Sequence, residues 1–238
     1  MEAAIIDKIA GLAAPTMLTI GGLEYSSKAL HRIDPPEIDG IAINTLQGLV
    51  DALNTGFEDT STALHLVHVF DHKTVRVIGR ESNEFGQRQS IIEASVLAGD
   101  RSFKFNEFLS QEEAVIGLQA CFREIGDRDK VLQTISSLTA NDSLQIEDNG
   151  ISQTATAKAG VALMTQVDIK PRVSLSPFRT FREVEQPTSE FVLRIKKGPD
   201  GLPKVGLFEA DGGAWKMDAI HNVRDWLKAA LPGWTIIA

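Results

Sequence analysis

Three histidines, His65, His68 and His72, crowd one short stretch of the chain, and metal chemistry is the first possibility they raise. Imidazole ligands must converge on a single ion. The surrounding residues alternate as a strand, on which His65 and His68, three apart, point to opposite faces, while His72 falls in a turn. The pattern reads as surface and edge histidines of a hairpin.

An acid-x-lysine tripeptide of the kind used by metal-dependent nucleases occurs twice, as Asp168-Ile169-Lys170 and Asp71-His72-Lys73. Two-metal phosphodiester chemistry needs carboxylates that meet in space. The upstream acid at suitable spacing, Asp148, is needed in an Asp148-Asn149-Gly150 turn. A second carboxylate group comprises Glu183, Glu185, Glu209 and Asp211. Paired acids can do general acid–base work, but Asp211 also stands where an N-cap would, and acids before a helix favour its dipole. Nucleophiles are poorly supplied. Cys121 sits on the apolar side of a helix, and no serine lies in a G-x-S-x-G elbow. Gly21-Gly22 and Gly212-Gly213 extend to no phosphate-binding fingerprint. Phe178, Phe181, Phe191 and Trp215 could stack bases, yet read more simply as core.

The elements that must carry these residues follow from periodicity. A helix is expected over 3–13, then a hairpin of 17–20 and 23–25 about Gly21-Gly22. Pro35-Pro36 forms the clearest linker. Asn44 should cap a helix carrying Leu46, Leu49, Val50, Leu53 and Phe57. Segments 63–70, 75–78 and 90–97 read as a three-stranded meander. Ser110 and Glu113 form a capping box for a helix over 111–122 with a Val115, Leu118, Phe122 and Ile125 stripe. A second helix with Val131, Leu132, Ile135 and Leu138 makes a helical hairpin with it. Strands return at 143–147, 151–157, 161–170, 172–175, 191–196 and 204–208. A last helix near 211–213 buries Met217, Ile220, Val223, Leu227 and Leu231. Runs of strands and of helices argue an α+β fold with antiparallel sheets, a helical hairpin and a C-terminal helix. One domain over 1–238 is expected, with a sub-boundary near 98–105.

The 238 residues carry one cysteine, 43% hydrophobic residues and a net charge of −8. That composition suits a globular chain of a reducing cytoplasm, without a structural disulfide or a cysteine-based zinc site. No run approaches the roughly 20 apolar residues of a membrane span, and Met1-Glu2-Ala3 lacks the positive start of a secretory signal. Residues 165–204 hold eight Lys and Arg against five Asp and Glu, a local +3 that leaves −11 for the rest. A basic stripe of Lys170, Arg172, Arg194, Lys196, Lys197 and Lys204 on an acidic body is one way to meet nucleic acid. A solvated strand face is the other reading.

The text Pro177-Phe178-Arg179-Thr180-Phe181-Arg182-Glu183-Val184-Glu185-Gln186-Pro187, then Phe191 and Arg194, is followed by residues 207–216, Leu-Phe-Glu-Ala-Asp-Gly-Gly-Ala-Trp-Lys. With residues 105–113, it resembles phage and prophage proteins of the YfdQ-like type, a family of unknown function, over about residues 100–230. The resemblance implies a phage origin and a host-cell cytoplasmic location, and transfers no catalytic residue. Phe178, Phe181 and Val184 recur every third residue, which breaks strand alternation and points to a corner. Arg179 and Arg182 there could pair with Glu183, Glu185 or Glu209, with Asp211 and Trp215 nearby, as an architectural or protomer contact.

The favoured expectation is a non-enzymatic phage accessory protein, without catalytic residues, metal or cofactor, that self-assembles into a homo-oligomer and binds a host or phage macromolecule. It rests on strand edges that must be paired or covered. The rivals are a nucleic-acid-binding accessory factor of phage recombination or replication, and a metal-dependent phosphodiester hydrolase centred on Asp168 and Lys170. Interference with host defence stands beside them without a residue to support it.

Overall fold

A computed structural model describes residues 2–28, 40–56, 60–81, 88–97, 99, 102–138, 145–148, 153–159 and 163–238. The chain divides into two compact units, Met1–Ile38 and Asp39–Ala238. The division lies just past Pro35-Pro36, and residues 98–105 fall inside the second unit.

The first unit holds helix α1 (Glu2–Ala13) and an antiparallel hairpin of β1 (Met17–Ile20) and β2 (Leu23–Ser26), joined by the two-residue loop Gly21-Gly22.

The second unit begins with β3 (Ile41–Ile43) and α2 (Leu46–Asn54), then the meander β4 (His65–Val69), β5 (Thr74–Gly79) and β6 (Ser90–Ser95). Next come β7 (Phe108–Ser110), α3 (Gln111–Cys121), α4 (Arg128–Ser136), β8 (Gln145–Asp148), β9 (Gln153–Ala159) and β10 (Leu163–Ile169). It ends with β11 (Arg172–Leu175), β12 (Ser189–Lys197), β13 (Pro203–Glu209), α5 (Trp215–Ala230) and β14 (Ile236–Ile237). The fold class is α+β. Two sheets, β10-β9-β8 and β11-β12-β13-β7, are antiparallel throughout. The third, β14-β4-β5-β6-β3, is antiparallel inside and parallel at both edges. Those two edge pairings were not foreseen.

Two apolar cores result. Strands β4–β6 alternate Val67, Val69, Val75, Val77, Ile92 and Ala94 inward, against Leu46, Leu49, Val50 and Leu53 of α2 and Val223 and Leu227 of α5. Each such side chain, fully buried, contributes roughly 1.5–3 kcal/mol. The other core sets Ala114, Leu118 and Cys121 of α3 and Val131 and Ile135 of α4 against Val173, Leu175, Phe191, Leu193, Ile195, Val205 and Leu207 of the four-stranded sheet.

Several local expectations need correcting. Thr45, one residue beyond Asn44, caps α2 by accepting from the Gly48 N–H at 3.0 Å. Phe57 and the Asn149-Gly150 half of the expected turn lie outside the described residues. Around α3 the capping box forms, with the Glu113 carboxylate accepting from the Ser110 N–H at 2.9 Å. The buried stripe, however, is Ala114, Gly117, Leu118 and Cys121, and Ile125 is exposed. The helix stops at Cys121 because Phe122 turns extended and bridges Pro177, so positions beyond it leave the helical phase. In α5 the buried residues are Trp215, Ala219, Val223 and Leu227, while Met217 is exposed. Gly212 and Gly213 have φ of +63° and +83°, a left-handed turn that only glycine adopts cheaply. The helix therefore starts at Trp215; Val223, Leu227 and Leu231 are buried and Ile220 packs against the core as expected, and Met217 alone falls off that face. Asp211 is not its N-cap; it accepts from the Gly213 N–H at 3.0 Å within that turn.

The edges of the five- and four-stranded sheets are handled within the chain. β14 and β3, the edges of the five-stranded sheet, have two and three residues, and β7 has three. Beside β11, the Arg123 N–H donates to the Ser176 carbonyl and the Asp127 N–H to the Ser174 carbonyl. Short or covered edges suppress strand addition.

Candidate functional site

Residues 178–188 form the corner expected from the Phe178, Phe181 and Val184 spacing, and one side chain organises it. Gln186, 3% exposed, accepts at Oε1 from the N–H groups of Arg179 (3.0 Å) and Thr180 (3.2 Å). Its Nε2 donates to the carbonyls of Phe181 (2.7 Å) and Val184 (3.2 Å). That uses the full capacity of the amide. Phe181 and Val184 are thereby pushed into the five-stranded sheet's core. Thr180 Oγ1 donates to the His72 carbonyl.

Arg179 is the corner's buried charge. Its side chain is 9% exposed and pairs with Glu209, donates to the Ser189 hydroxyl, and lies 3.8 Å from the Trp215 ring centroid. Burial pushes its guanidinium down to about 10, against the pull of Glu209 and then Asp211. His72 stands edge-on to Trp215 at 4.8 Å, and burial lowers its pKa too. Arg182 does not join this group; it lies 3.7 Å over the Phe178 ring. Glu183 accepts from the N–H groups of Leu46 (2.9 Å) and Gln47 (3.4 Å) at the start of α2. Glu185 reaches Arg123 at 3.5 Å, and its carbonyl accepts from Asn222. Glu183 and Glu185 thus serve separate places, while Glu209 and Asp211 both lie near Arg179. Among the described residues, no three His, Cys, Asp or Glu side chains are grouped to hold a metal.

The histidines remain apart as well. His65 Nδ1 accepts from the Ser61 N–H, and His68 packs edge-on to Phe70.

The basic stripe is partly assembled. Lys170 leaves it, its Nζ held 2.7 Å from Asp127 Oδ2. Asp127, 10% exposed at its side chain, also accepts from the Ser174 N–H at 3.0 Å and so ties the α3–α4 connection to β11. The Lys170 hydrogen bond, then the Ser174 N–H, hold its carboxyl below the usual range. A depressed acid contributes stability above its unfolded pKa and loses it as pH falls through the folded value. Asp127→Asn is expected to cost about 1–2 kcal/mol at pH 7, discounted for the exposed lysine. The gap to the parent should close as pH drops below the ordinary carboxylate range; urea titrations across pH 2–7 that show a constant gap would contradict this.

Lys197, opposite Pro203, ends β12 out of phase with the rest. Arg172, Arg194, Lys196 and Lys204 do share a face, the outer one of the four-stranded sheet, since Phe191, Leu193, Ile195, Val205 and Leu207 alternate inward. Lys196 lies directly opposite Lys204, a like-charge pairing that costs stability on a sheet; Asp200, 3.7 Å from Lys204, offsets part of it. The next row inward runs Arg194, Gly206, Phe108, and the next Arg172, Val192, Phe208. Phe108 and Phe208 meet edge to face at 5.3 Å, and Lys196 Nζ sits 4.0 Å over the Phe108 ring. Gly206 makes room for this pair, because a Cβ there would lie 2.7 Å from the Phe208 ring. On the same face Glu190 sits at the far end, opposite Ser174. Phe208 lies in the strand expected over 204–208, whereas Phe108 lies in β7, whose three residues show no period in the sequence.

A cleft of about 350 Å³ opens between Phe103, Lys104, Leu109, Glu113 and Ile116. Its one carboxylate, Glu113, is already committed to the capping box.

These features define an α+β protein with a paired-charge corner and a basic, aromatic sheet face. No family model, no curated protein and no solved structure matches the chain. No described helix is long and apolar enough to cross a membrane.

Proposed function

We propose that this protein is a non-catalytic accessory factor that binds single-stranded nucleic acid across the outer face of β11-β12-β13-β7. The observation that carries the reading is Lys196 set opposite Lys204 beside the Phe108–Phe208 pair. A like-charge pair is unfavourable in the free protein and becomes favourable when phosphates neutralise it. Partly exposed rings on an antiparallel sheet offer stacking surfaces to splayed bases, the physical basis of four-stranded RNA-binding sheets. The acidic remainder of the chain repels polyanions elsewhere and confines a strand to this face. The resemblance to phage and prophage proteins fits a role in recombination or replication in the host cytoplasm. Strand pairing between copies is a weaker basis for function at the five- and four-stranded sheets, because their edges are short or covered. The hydrolase reading loses support from Lys170, whose amine is engaged by Asp127.

Fluorescence anisotropy with labelled oligothymidine and oligouridine, titrated with salt, tests this. With four cationic contacts on a single strand, log affinity should fall with log salt at a slope of about −3, and Lys196→Gln/Lys204→Gln should flatten it by roughly 1.4. Phe108→Ala and Phe208→Ala should each weaken binding by about 5- to 150-fold with the slope little changed. No binding at 50 mM salt, or wild-type affinity in the combined variant, would remove the proposal.

A further inference from the structure

Among the described residues of the first unit no side chain is buried, and the hairpin points to what completes the unit. In the β1–β2 hairpin, Leu18 pairs with Tyr25 and Ile20 with Leu23, so these four share one face; Met17, Thr19, Glu24 and Ser26 share the other. The apolar face is open: Leu18 is 50%, Ile20 63%, Leu23 63% and Tyr25 48% exposed. A lone two-stranded hairpin is marginal in water and needs further strands or a helix packed on its apolar face; that face remains exposed although α1 belongs to the same unit.

The backbone and the charges choose between the two edges. The Ser27 N–H donates to the Thr16 carbonyl at 2.9 Å, which makes that pair the hydrogen-bonded kind. Alternation then leaves the N–H and C=O of Met17 and Thr19 pointing away from β2. β1 (Met17-Leu18-Thr19-Ile20) carries no charge, no proline and no bulge, so it lacks the devices that keep an edge single. β2 carries Glu24, and pairing that edge with itself would bring two carboxylates together. An uncharged antiparallel edge is complementary to its own copy under a two-fold axis.

We infer that two copies of this chain pair through β1, antiparallel about a two-fold axis at Leu18, to form the sheet β2-β1-β1-β2. Met17 exchanges backbone hydrogen bonds with Thr19 of the second copy. Leu18 faces Leu18 of the second copy as the non-hydrogen-bonded pair, with Cα atoms about 4.5 Å apart. Eight apolar side chains then form one continuous face. The inference is independent of the nucleic-acid reading.

That register makes a sharp test. Cα atoms at such a separation are within disulfide range, and the native Cys121 is buried. Full-length Leu18→Cys should cross-link under mild oxidation to twice the 25.9 kDa chain mass, and Glu24→Cys, on the outer strand, should not. Light scattering should show a wild-type dimer, and a monomer for Thr19→Pro, which deletes an outward donor while sparing the β1–β2 bonds. A monomeric wild type at about 100 µM, where a micromolar association would be saturated, would overturn the inference. So would equal cross-linking by both cysteine variants, or a Thr19→Pro protein that remains dimeric.

Discussion

Gln186→Ala is expected to lower the stability of the second unit by about 3–5 kcal/mol, since four buried backbone groups lose their partners at once and each orphan costs roughly 1–3 kcal/mol before relaxation. The N–H groups of Arg179 and Thr180 and the carbonyls of Phe181 and Val184 are all satisfied by this one amide. Small domains hold only about 5–15 kcal/mol in reserve, so the loss is a large share of the whole. Gln186→Glu keeps the oxygen that receives two N–H groups but sets a buried carboxylate oxygen against the carbonyls of Phe181 and Val184, so at neutral pH it should be no milder than alanine and should recover as the carboxyl is protonated at low pH. Urea unfolding with an unchanged m-value is the measurement. A loss below about 1 kcal/mol for Gln186→Ala, within the range of a single ordinary hydrogen bond, would mean that the corner is held by its packed side chains alone.

The second large effect concerns the ion pair beside it. Glu209→Ala leaves Arg179 charged, buried and already without a partner at Nε. Stranding a buried charge costs about 3–5 kcal/mol, and water access to the partly exposed Glu209 should reduce this to about 2–3. The double variant Arg179→Met/Glu209→Ala should recover much of that loss, because the guanidinium sits against Trp215, with Phe105 and Phe191 farther out, surfaces a thioether packs on as well. A double variant as weak as the sum of both singles would contradict the argument. The pH dependence has a defined sign. Burial brings the Arg179 guanidinium down to about 10, so the unfolded chain holds this proton more tightly than the folded one. Unfolding therefore takes up a proton above about pH 10, and the contribution of this group to stability rises with pH there. Measured against Arg179→Met, the wild type should gain ground between pH 10 and 11.

Much of the fold could be read from local pattern. Ser110 and Glu113 act within one turn of each other, so their capping box is visible in the text and present in the structure. The meander of β4, β5 and β6 follows from its own alternation. The edge strands β3 and β14 could not be seen the same way, because three and two residues have no period and acquire strand geometry only from β6 and β4. The buried face of α5 was legible at Ile220, Val223, Leu227 and Leu231, but its first turn was not, because the left-handed Gly212-Gly213 turn looks, in sequence, like a helix start. At the corner, the recurrence of aromatics announced a break in alternation, whereas the role of Gln186 depends on bonds between residues brought together only by folding. The outer sheet face was half legible: the alternation placed Arg172, Arg194, Lys196 and Lys204 together, but Lys170 was claimed by an aspartate 43 positions away.

The five-stranded sheet is assembled from distant parts of the chain. Its strands β4–β6 lie within residues 65–95, yet their core is closed by Phe181 and Val184 of the corner, by Val223, Leu227 and Leu231, and by β14 alongside β4. On a ribosome adding about 5–20 residues per second, that leaves Val67, Val75, Val77 and Ile92 with only α2 as cover for on the order of ten seconds. The nascent meander is then a greasy, unfinished surface and a ready client for chaperones. A stop codon anywhere before α5 would release that surface permanently, so truncated products should aggregate rather than persist as smaller soluble proteins.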